Sequence, residues 1–296
     1  MKIFDCTTYF EEDLMMDLRF NILNEYVDKF VVCEATFSHS GNKKKINFDV
    51  NKFTKFKDKI IHLIIDNDPA KKENLADNFS QSVLRSNSIK RIETQRNYLI
   101  NGIKDASEND YIIYSDNDEI PNLANFNFQK NKSTIIIFKQ KLFYYKFNLA
   151  YPKIDWYGSK ACKFKNLKTI SWLRNIKNKK YKFYRFDVLF SKYKYMKLNI
   201  VNDGGWHFTN LKTPSELLNK YLNDEMHSEI DLDKTNLKNI ENKIKNKYIN
   251  YNHMADSKSS DSIKQNNEFK LTQVGFDILP KYISNNLDKY KDWIEK

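Results

Sequence analysis

The alternation of short apolar segments with longer amphipathic segments over the first 115 residues constrains the fold most. The apolar segments are residues 1–6, Phe30–Cys33, Ile60–Ile65 and Tyr111–Tyr114. Residues 12–27 and 84–103 lie between them and have the apolar period of a helix. In the second helix, the residues expected on the buried face are Ile89, Ile92, Leu99 and Ile103. Such alternation predicts an α/β fold with a mainly parallel central sheet and flanking helices.

The pattern changes after Pro121. Residues 133–139 and 142–147 are rich in β-branched and aromatic side chains, and residues 181–202 are aromatic and basic. These segments predict additional mixed or antiparallel strands. Thr213 and Glu216, with Pro214 between them, are typical of a helix start with a capping box. A solvated helix is expected over residues 234–250 and a polar loop over residues 255–268.

Charge and composition exclude several classes of protein. The net charge is +12, but the basic residues are mostly lysines spread along the chain, which indicates a compositional bias and not a nucleic-acid-binding patch. Neither a membrane-spanning segment nor the apolar region of a signal peptide is present. We therefore expect a cytoplasmic protein with peripheral contact at the inner face of the membrane. Cys6, Cys33 and Cys162 lack metal-binding spacing and are expected to be buried thiols.

A cluster of carboxylates, Asp116-Asn117-Asp118-Glu119, follows the last of the apolar segments. In an extended chain, residues two apart point to the same side, so Asp116 and Asp118 can face one site. Carboxylates together with substrate phosphates are usual ligands of Mg²⁺ and Mn²⁺. In parallel α/β sheets, ligands bind beyond the carboxyl ends of the strands, where this cluster is expected. Runs of Asp and Asn also form turns, so the spacing alone leaves both interpretations open.

Several segments, in the same order, resemble glycosyltransferase family 17, whose members include enzymes that add the bisecting N-acetylglucosamine to N-glycans. The segments are Phe30–Thr36 with Gly41, Gln95–Asn97, Asp116–Pro121, Gly205–Phe208, and Lys220 followed by His227-Ser228-Glu229. The resemblance implies a GT-A-like catalytic domain over residues 1–230, with residues 231–296 as a helical extension packed on the same domain. It also implies inverting transfer of a sugar from a UDP donor, UDP-N-acetylglucosamine, to a glycan hydroxyl. Because the N-terminal anchor of eukaryotic members is not found in this sequence, a surface glycan or lipid-linked glycan fits better as acceptor than an N-glycan.

The resemblance also implies roles for individual residues. The implied ligands of Mn²⁺ or Mg²⁺ are Asp116, Asp118 and His207. The implied donor-binding residues are Glu34, Arg96, Asp116 and Trp206. The candidates for the catalytic base are Glu119, Asp203, Glu225 and Glu229.

Alternatives remain open at this point. His207 can instead be a core histidine beside Trp206, and Arg96 can form a structural ion pair with Glu93 or Asp116. Trp156 and Trp172 fit either the core or the face of a sugar. A metal-dependent phosphoesterase or nuclease would use the same carboxylates, although it would need more clustered His and Asp residues. A basic nucleic-acid-binding module would need a zinc-finger, RRM or KH pattern, and the sequence has none.

Overall fold

The computed structural model describes residues 1–70, 80–178, 191, 196–224, 227, 235–250 and 269–296. Most of the strand region expected at 181–202, the loop expected at 255–268, and the base candidates Glu225 and Glu229 lie outside the described residues.

The described chain contains the following strands and α-helices. The strands are β1 (Ile3–Tyr9), β2 (Lys29–Ala35), β3 (Ile60–Ile65), β4 (Tyr111–Tyr114), β5 (Glu119–Pro121), β6 (Ile135–Tyr144), β7 (Leu149–Lys163), β8 (Leu198–Val201), β9 (Gly205–Thr209), β10 (Tyr248–Ile249), β11 (Phe269–Lys270) and β12 (Thr272–Gln273). The α-helices are α1 (Asp13–Leu23), α2 (Gln81–Tyr98), α3 (Ile170–Asn175), α4 (Pro214–Asn223), α5 (Leu237–Lys245) and α6 (Lys281–Ser284). Shorter 3₁₀ segments include Val50–Lys59 and Leu99–Ile103.

One half of the central sheet is parallel, as the sequence predicts. Its strands lie in the order β3-β2-β1-β4, and each neighbouring pair is parallel. The predicted segments Phe30–Cys33, Ile60–Ile65 and Tyr111–Tyr114 therefore belong to one sheet, which confirms that prediction. Asp116 follows β4 directly and so lies at the carboxyl edge, where such sheets bind ligands.

The other half of the sheet is mixed. β7 pairs antiparallel with β4, and β6 pairs antiparallel with β7. β9 lies parallel to β6, and the short β5 pairs antiparallel with β9. This last pairing sets Glu119 opposite His207, so two predicted site segments that are distant in sequence become neighbours. The mixed α/β architecture with flanking helices is confirmed.

Helix α2 differs in one position from its predicted buried face. Ile92, Leu99 and Ile103 are buried, but Ile89 is 39% exposed, so its assignment to the buried face was wrong. The stripe that faces the sheet instead contains the polar residues Ser88, Arg91 and Gln95. Because these polar side chains occupy buried positions, the pattern of apolar residues alone did not predict the buried face of α2 correctly.

Two smaller predictions are confirmed. The Thr213 hydroxyl accepts from the Glu216 amide at 3.4 Å, and the Glu216 carboxylate accepts from the Thr213 amide at 2.8 Å, which completes the capping box of α4. Cys6, Cys33 and Cys162 are buried free thiols. Among the described residues, every helix is too short or too polar to cross a bilayer.

The described part of the C-terminal segment contacts the central sheet. β12 pairs with β7, and the Asn148 side chain exchanges hydrogen bonds with the backbone of Glu295. The Trp206 indole donates to the Ile278 carbonyl at 2.7 Å. The division of the chain at residue 230 stays a prediction.

A buried ion pair ties α1 to the sheet and to the carboxylate cluster. Arg19 and Asp5 are essentially inaccessible to solvent, and two guanidinium nitrogens of Arg19 donate to the Asp5 carboxylate at 2.6 Å each. The third nitrogen donates to the Glu119 carbonyl at 2.6 Å. This arginine therefore links β1, α1 and the start of β5.

We expect Arg19→Met to lower the free energy of unfolding by about 3–5 kcal/mol, because Asp5 would be left buried without its partner. Urea unfolding followed by circular dichroism measures this change. Lys52→Met is the matched control: it removes an ion pair with Asp13 whose side chains are 53% and 42% exposed, so a change below about 1 kcal/mol is expected. Equal stability of the two variants would contradict the role of Arg19.

Candidate active site

A cleft of about 250 Å³ opens at the carboxyl edge of the parallel strands. Its wall contains Asp116, Asn117 and Asp118, three of the four residues of the carboxylate cluster. The other charged side chains in the wall are Glu12, Arg96, Arg174, Lys220 and Asp224, and the wall also contains His39. The cleft thus combines carboxylates with several cations, which is suited to a ligand that carries phosphate.

Asp116 is held by four hydrogen bonds from three side chains. Its Oδ1 accepts from Arg96 Nη2 at 2.9 Å and from the Tyr114 hydroxyl at 2.8 Å. Its Oδ2 accepts from Arg174 Nε at 3.2 Å and Nη2 at 3.0 Å. Burial alone would raise the pKa of Asp116, but the two guanidinium groups hold it well below the usual range. Arg96 therefore forms an ion pair with Asp116, one of the two partners considered for it from the sequence.

Asp118 lies beside His207, as the family resemblance implies. His207 Nε2 is 3.2 Å from Asp118 Oδ2, and its ring centroid is 4.7 Å from that of Trp156. Burial alone would lower the pKa of His207, but Asp118 raises it. Likewise, burial would raise the pKa of Asp118, and His207 and then Lys220 lower it. Nδ1 of His207 is buried and has no partner within the described chain.

Glu119 is buried behind the loop and supports it. Its Oε1 accepts from the Trp156 indole at 2.6 Å, and its Oε2 accepts from the Asp116 amide at 3.3 Å. Burial, followed by the charge of Asp116, raises the pKa of Glu119. A side chain at Gly158 would have no room, since a Cβ there would lie 2.7 Å from the Glu119 carboxyl carbon and 2.0 Å from Gln140 Oε1.

Gln95, Arg96 and Asn97 are consecutive residues of α2, and each one contacts a different part of the fold around the cleft. The Gln95 amide donates to the Cys33 carbonyl at 2.9 Å, at the end of β2. Arg96 donates to Asp116, and the Asn97 side chain accepts from the Ser171 amide at 2.9 Å, which docks α3 on α2. One helical turn therefore fixes the sheet edge, the carboxylate cluster and α3.

Other residues named from the sequence lie away from this cleft. Glu34 is fully buried and accepts hydrogen bonds from Lys44 and from the backbone amides of Asn47 and Phe48. Trp206 and Asp203 line a separate groove on the side of the C-terminal segment. The roles of these residues in donor binding and base catalysis stay predictions, and Glu229 lies outside the described residues.

Arg174 is the residue of the site that sequence reasoning missed. It lies 58 positions from Asp116, in a helix of six residues without a recognisable motif around it. The one feature of the sequence that distinguished Arg174 was its residue type, because arginines are few in this lysine-rich chain.

The fit of the site to a divalent ion rests on two side chains. Within the described part of the chain, no three His, Cys, Asp or Glu side chains gather closely enough to hold a metal ion alone. However, the 3.2 Å between His207 Nε2 and Asp118 Oδ2 is close to the ~3.0 Å that separates adjacent ligands at about 2.1 Å from one octahedral ion. Mg²⁺ commonly takes one or two protein ligands and completes its shell with phosphate oxygens and water. Asp118 and His207 fit such an ion.

The comparison with protein families decides the identity of the chain. The model of glycosyltransferase family 17 matches residues 1–292. The chain belongs to this family. None of the curated proteins compared with it matches. Solved structures that it resembles include HddC from Yersinia pseudotuberculosis, and the same protein complexed with GMP-PN. Each has 9% identity and a TM-score of 0.31, and the match covers 68% of this chain and 90% of that chain.

Family membership settles the class of activity. This family 17 chain is a glycosyltransferase, which implies a nucleotide-sugar donor and a glycan acceptor. The phosphoesterase, nuclease and nucleic-acid-binding alternatives are thereby set aside. The match extends to residue 292 and so includes the segment after residue 230.

We expect Gly158→Ala to lower stability by about 1–3 kcal/mol and to reduce transferase activity, because the added methyl group would displace Glu119 and the buried Gln140. Thermal unfolding and a sugar-transfer assay measure the two effects. Gly275→Ala is the matched control, since its Cβ would meet only the Asp277 side chain, at 2.5 Å, which can move aside. A Gly158→Ala variant that behaves like Gly275→Ala would show that the packing behind Asp116 is not required.

Proposed function

We propose that this glycosyltransferase transfers N-acetylglucosamine from UDP-N-acetylglucosamine, with inversion, to a hydroxyl of a glycan or lipid-linked glycan. The reaction depends on Mn²⁺ or Mg²⁺ held by Asp118 and His207. The observation that carries the proposal is the pairing of Asp118, which lines the cleft, with the buried His207. The wall of the cleft also presents Arg96, Arg174 and Lys220.

The protein groups have separate tasks in this proposal. When bound, the ion neutralises charge on the departing diphosphate. Asp118 is kept ionised by His207 and Lys220, which lower its pKa. Trp156 packs against the His207 ring and fixes its orientation. Lys220, whose amine donates to Asn210 Oδ1 at 2.9 Å, adds a cation on the α4 side of the cleft.

Inverting transfer also needs a base on the acceptor side. Glu119 accepts two hydrogen bonds behind the loop, and Asp203 lies at the separate groove near Trp206. Asp224 also lines the cleft; its side chain is 43% exposed and its carboxylate is 3.9 Å from His39. Its position at the rim makes it a further candidate for the base.

The setting of the reaction belongs to the same proposal. A basic surface and a lipid-linked acceptor fit a protein that works in the cytoplasm and contacts the inner face of the membrane. Calorimetric titration of UDP, GDP and UDP-N-acetylglucosamine, with and without Mn²⁺, tests the donor and the metal together. UDP and UDP-N-acetylglucosamine are expected to bind more tightly than GDP, and more tightly with Mn²⁺ than without it; absence of any nucleotide binding would refute the proposal.

Asp118→Asn is expected to lower the transfer rate at least about 100-fold, because it removes a charged ligand of the ion. UDP release from UDP-N-acetylglucosamine measures the rate, and circular dichroism checks the fold. The control is Asp155→Asn, which changes an exposed carboxylate paired with Lys139 and should leave the rate unchanged. Near-normal turnover by a folded Asp118→Asn variant would exclude Asp118 as a ligand.

His207→Ala is expected to weaken Mn²⁺ binding about 10- to 100-fold. Titration of Mn²⁺ by paramagnetic resonance gives the affinity, and urea unfolding gives the stability of the same variant. Because His207 is buried, some loss of stability is expected as well. Loss of stability with unchanged Mn²⁺ affinity would show that His207 is a structural core residue and not a metal ligand.

A further inference from the structure

The part of the cleft wall formed by Asp116 and its two arginine partners carries two cations and one carboxylate. Two guanidinium groups, Arg96 and Arg174, share one carboxylate, and the three side chains are only 18%, 37% and 20% exposed. Partly buried charge of one sign is costly unless it is compensated. This group of three therefore has one positive charge available for an anion.

Both arginines also have donors to spare. An arginine has five N–H donors. Arg96 donates from Nε to the Tyr114 hydroxyl and from Nη2 to Asp116, while Arg174 donates to Asp116 from both Nε and Nη2. The Nη1 group of each makes no hydrogen bond within the described part of the structure. Both residues line the cleft in which we propose that the donor substrate binds.

We infer that Arg96 and Arg174 form a binding site for the diphosphate of the nucleotide sugar, and that Asp116 is a positioning residue that holds both guanidinium groups rather than a metal ligand. The inference rests on the proposed function for the identity of the substrate. Guanidinium groups bind phosphate oxygens through paired N–H donors, which a lysine cannot reproduce. The charge that develops on the departing diphosphate would be stabilised by donors that are already oriented.

Asp116 is poorly placed to serve as a metal ligand. A carboxylate has about four positions for hydrogen-bond donors, and all of them are occupied at 2.8–3.2 Å. A metal ion at Oδ2 would have to displace Arg174, and one at Oδ1 would have to displace Arg96 or the Tyr114 hydroxyl. Asp118, in contrast, is paired only with His207 among the described residues.

The position of Arg174 is fixed by its surroundings. Thr169 caps α3 by accepting from the Trp172 amide at 3.0 Å, and Asn97 accepts from the Ser171 amide at 2.9 Å. The buried amine of Lys160 donates to the Arg174 carbonyl. The guanidinium group is therefore presented by an anchored helix, as preorganised binding requires.

The experiment measures binding of inorganic pyrophosphate and of UDP by calorimetry in EDTA, so that no metal ion contributes. Wild-type protein is expected to bind both. Arg174→Gln should weaken both by at least about tenfold, and Arg174→Lys should lose most of the same affinity. Lys177→Gln is the control, because it removes a charge three residues away that does not line the cleft, and it should bind like wild type.

Asp116→Asn separates the positioning role from metal ligation. It should weaken pyrophosphate binding in EDTA, because the guanidinium groups lose their anchor, and should keep Mn²⁺ affinity, which Asp118→Asn should lose. Normal pyrophosphate binding by Arg174→Gln and Arg174→Lys, or no binding by wild type, would overturn the diphosphate site. Loss of Mn²⁺ by Asp116→Asn to the extent seen with Asp118→Asn would overturn the positioning role.

The test also keeps this inference apart from the proposed function. Pyrophosphate binding that depends on Arg174, in a protein that turns over no UDP-sugar, would support the anion site and contradict the proposed donor. Turnover of UDP-N-acetylglucosamine with full activity in Arg174→Gln would support the donor and contradict the anion site.

Discussion

The Asp116 carboxylate is the interaction on which the cleft depends, because it joins three parts of the fold at one point. Tyr114 comes from β4, Arg96 from α2 and Arg174 from α3, and all three donate to it. Removing one partner from this partly buried network would leave a charge without its counter-ion. In this part of the cleft wall two arginines share one carboxylate, and the local surplus of one cation suits it to an anionic group of the substrate.

The mixed half of the sheet completes the site on the other side. Pairing of β5 with β9 brings His207 next to the carboxylate cluster, and Arg19 fixes β5 by donating to the Glu119 carbonyl. Neighbouring residues in a strand point to opposite faces. His207 therefore contacts Asp118, while Trp206 turns to the groove formed with the C-terminal segment.

Much of this arrangement could be predicted from the sequence, and the rest could not for physical reasons. Apolar runs fix β2, β3 and β4, and the carboxylate cluster after β4 marks the ligand-binding edge. Because side chains alternate along a strand, Trp206 and His207 could also have been predicted to point to opposite faces of β9. Arg174 was not predictable, because a short helix without a motif is positioned only by long-range contacts to Asn97 and Lys160. The pairing of Asp116 with both arginines depends on the same docking of α3 on α2.

A crystal structure with UDP-N-acetylglucosamine and Mn²⁺ tests the account most directly. The account predicts a Mn²⁺ ion bonded to Asp118 Oδ2 and His207 Nε2, with diphosphate oxygens within hydrogen-bond distance of Arg96 and Arg174. It also predicts that Asp116 keeps its two arginine partners. A nucleotide bound elsewhere, for example in the groove beside Trp206, or an ion bonded to Asp116 in place of Arg174, would contradict it.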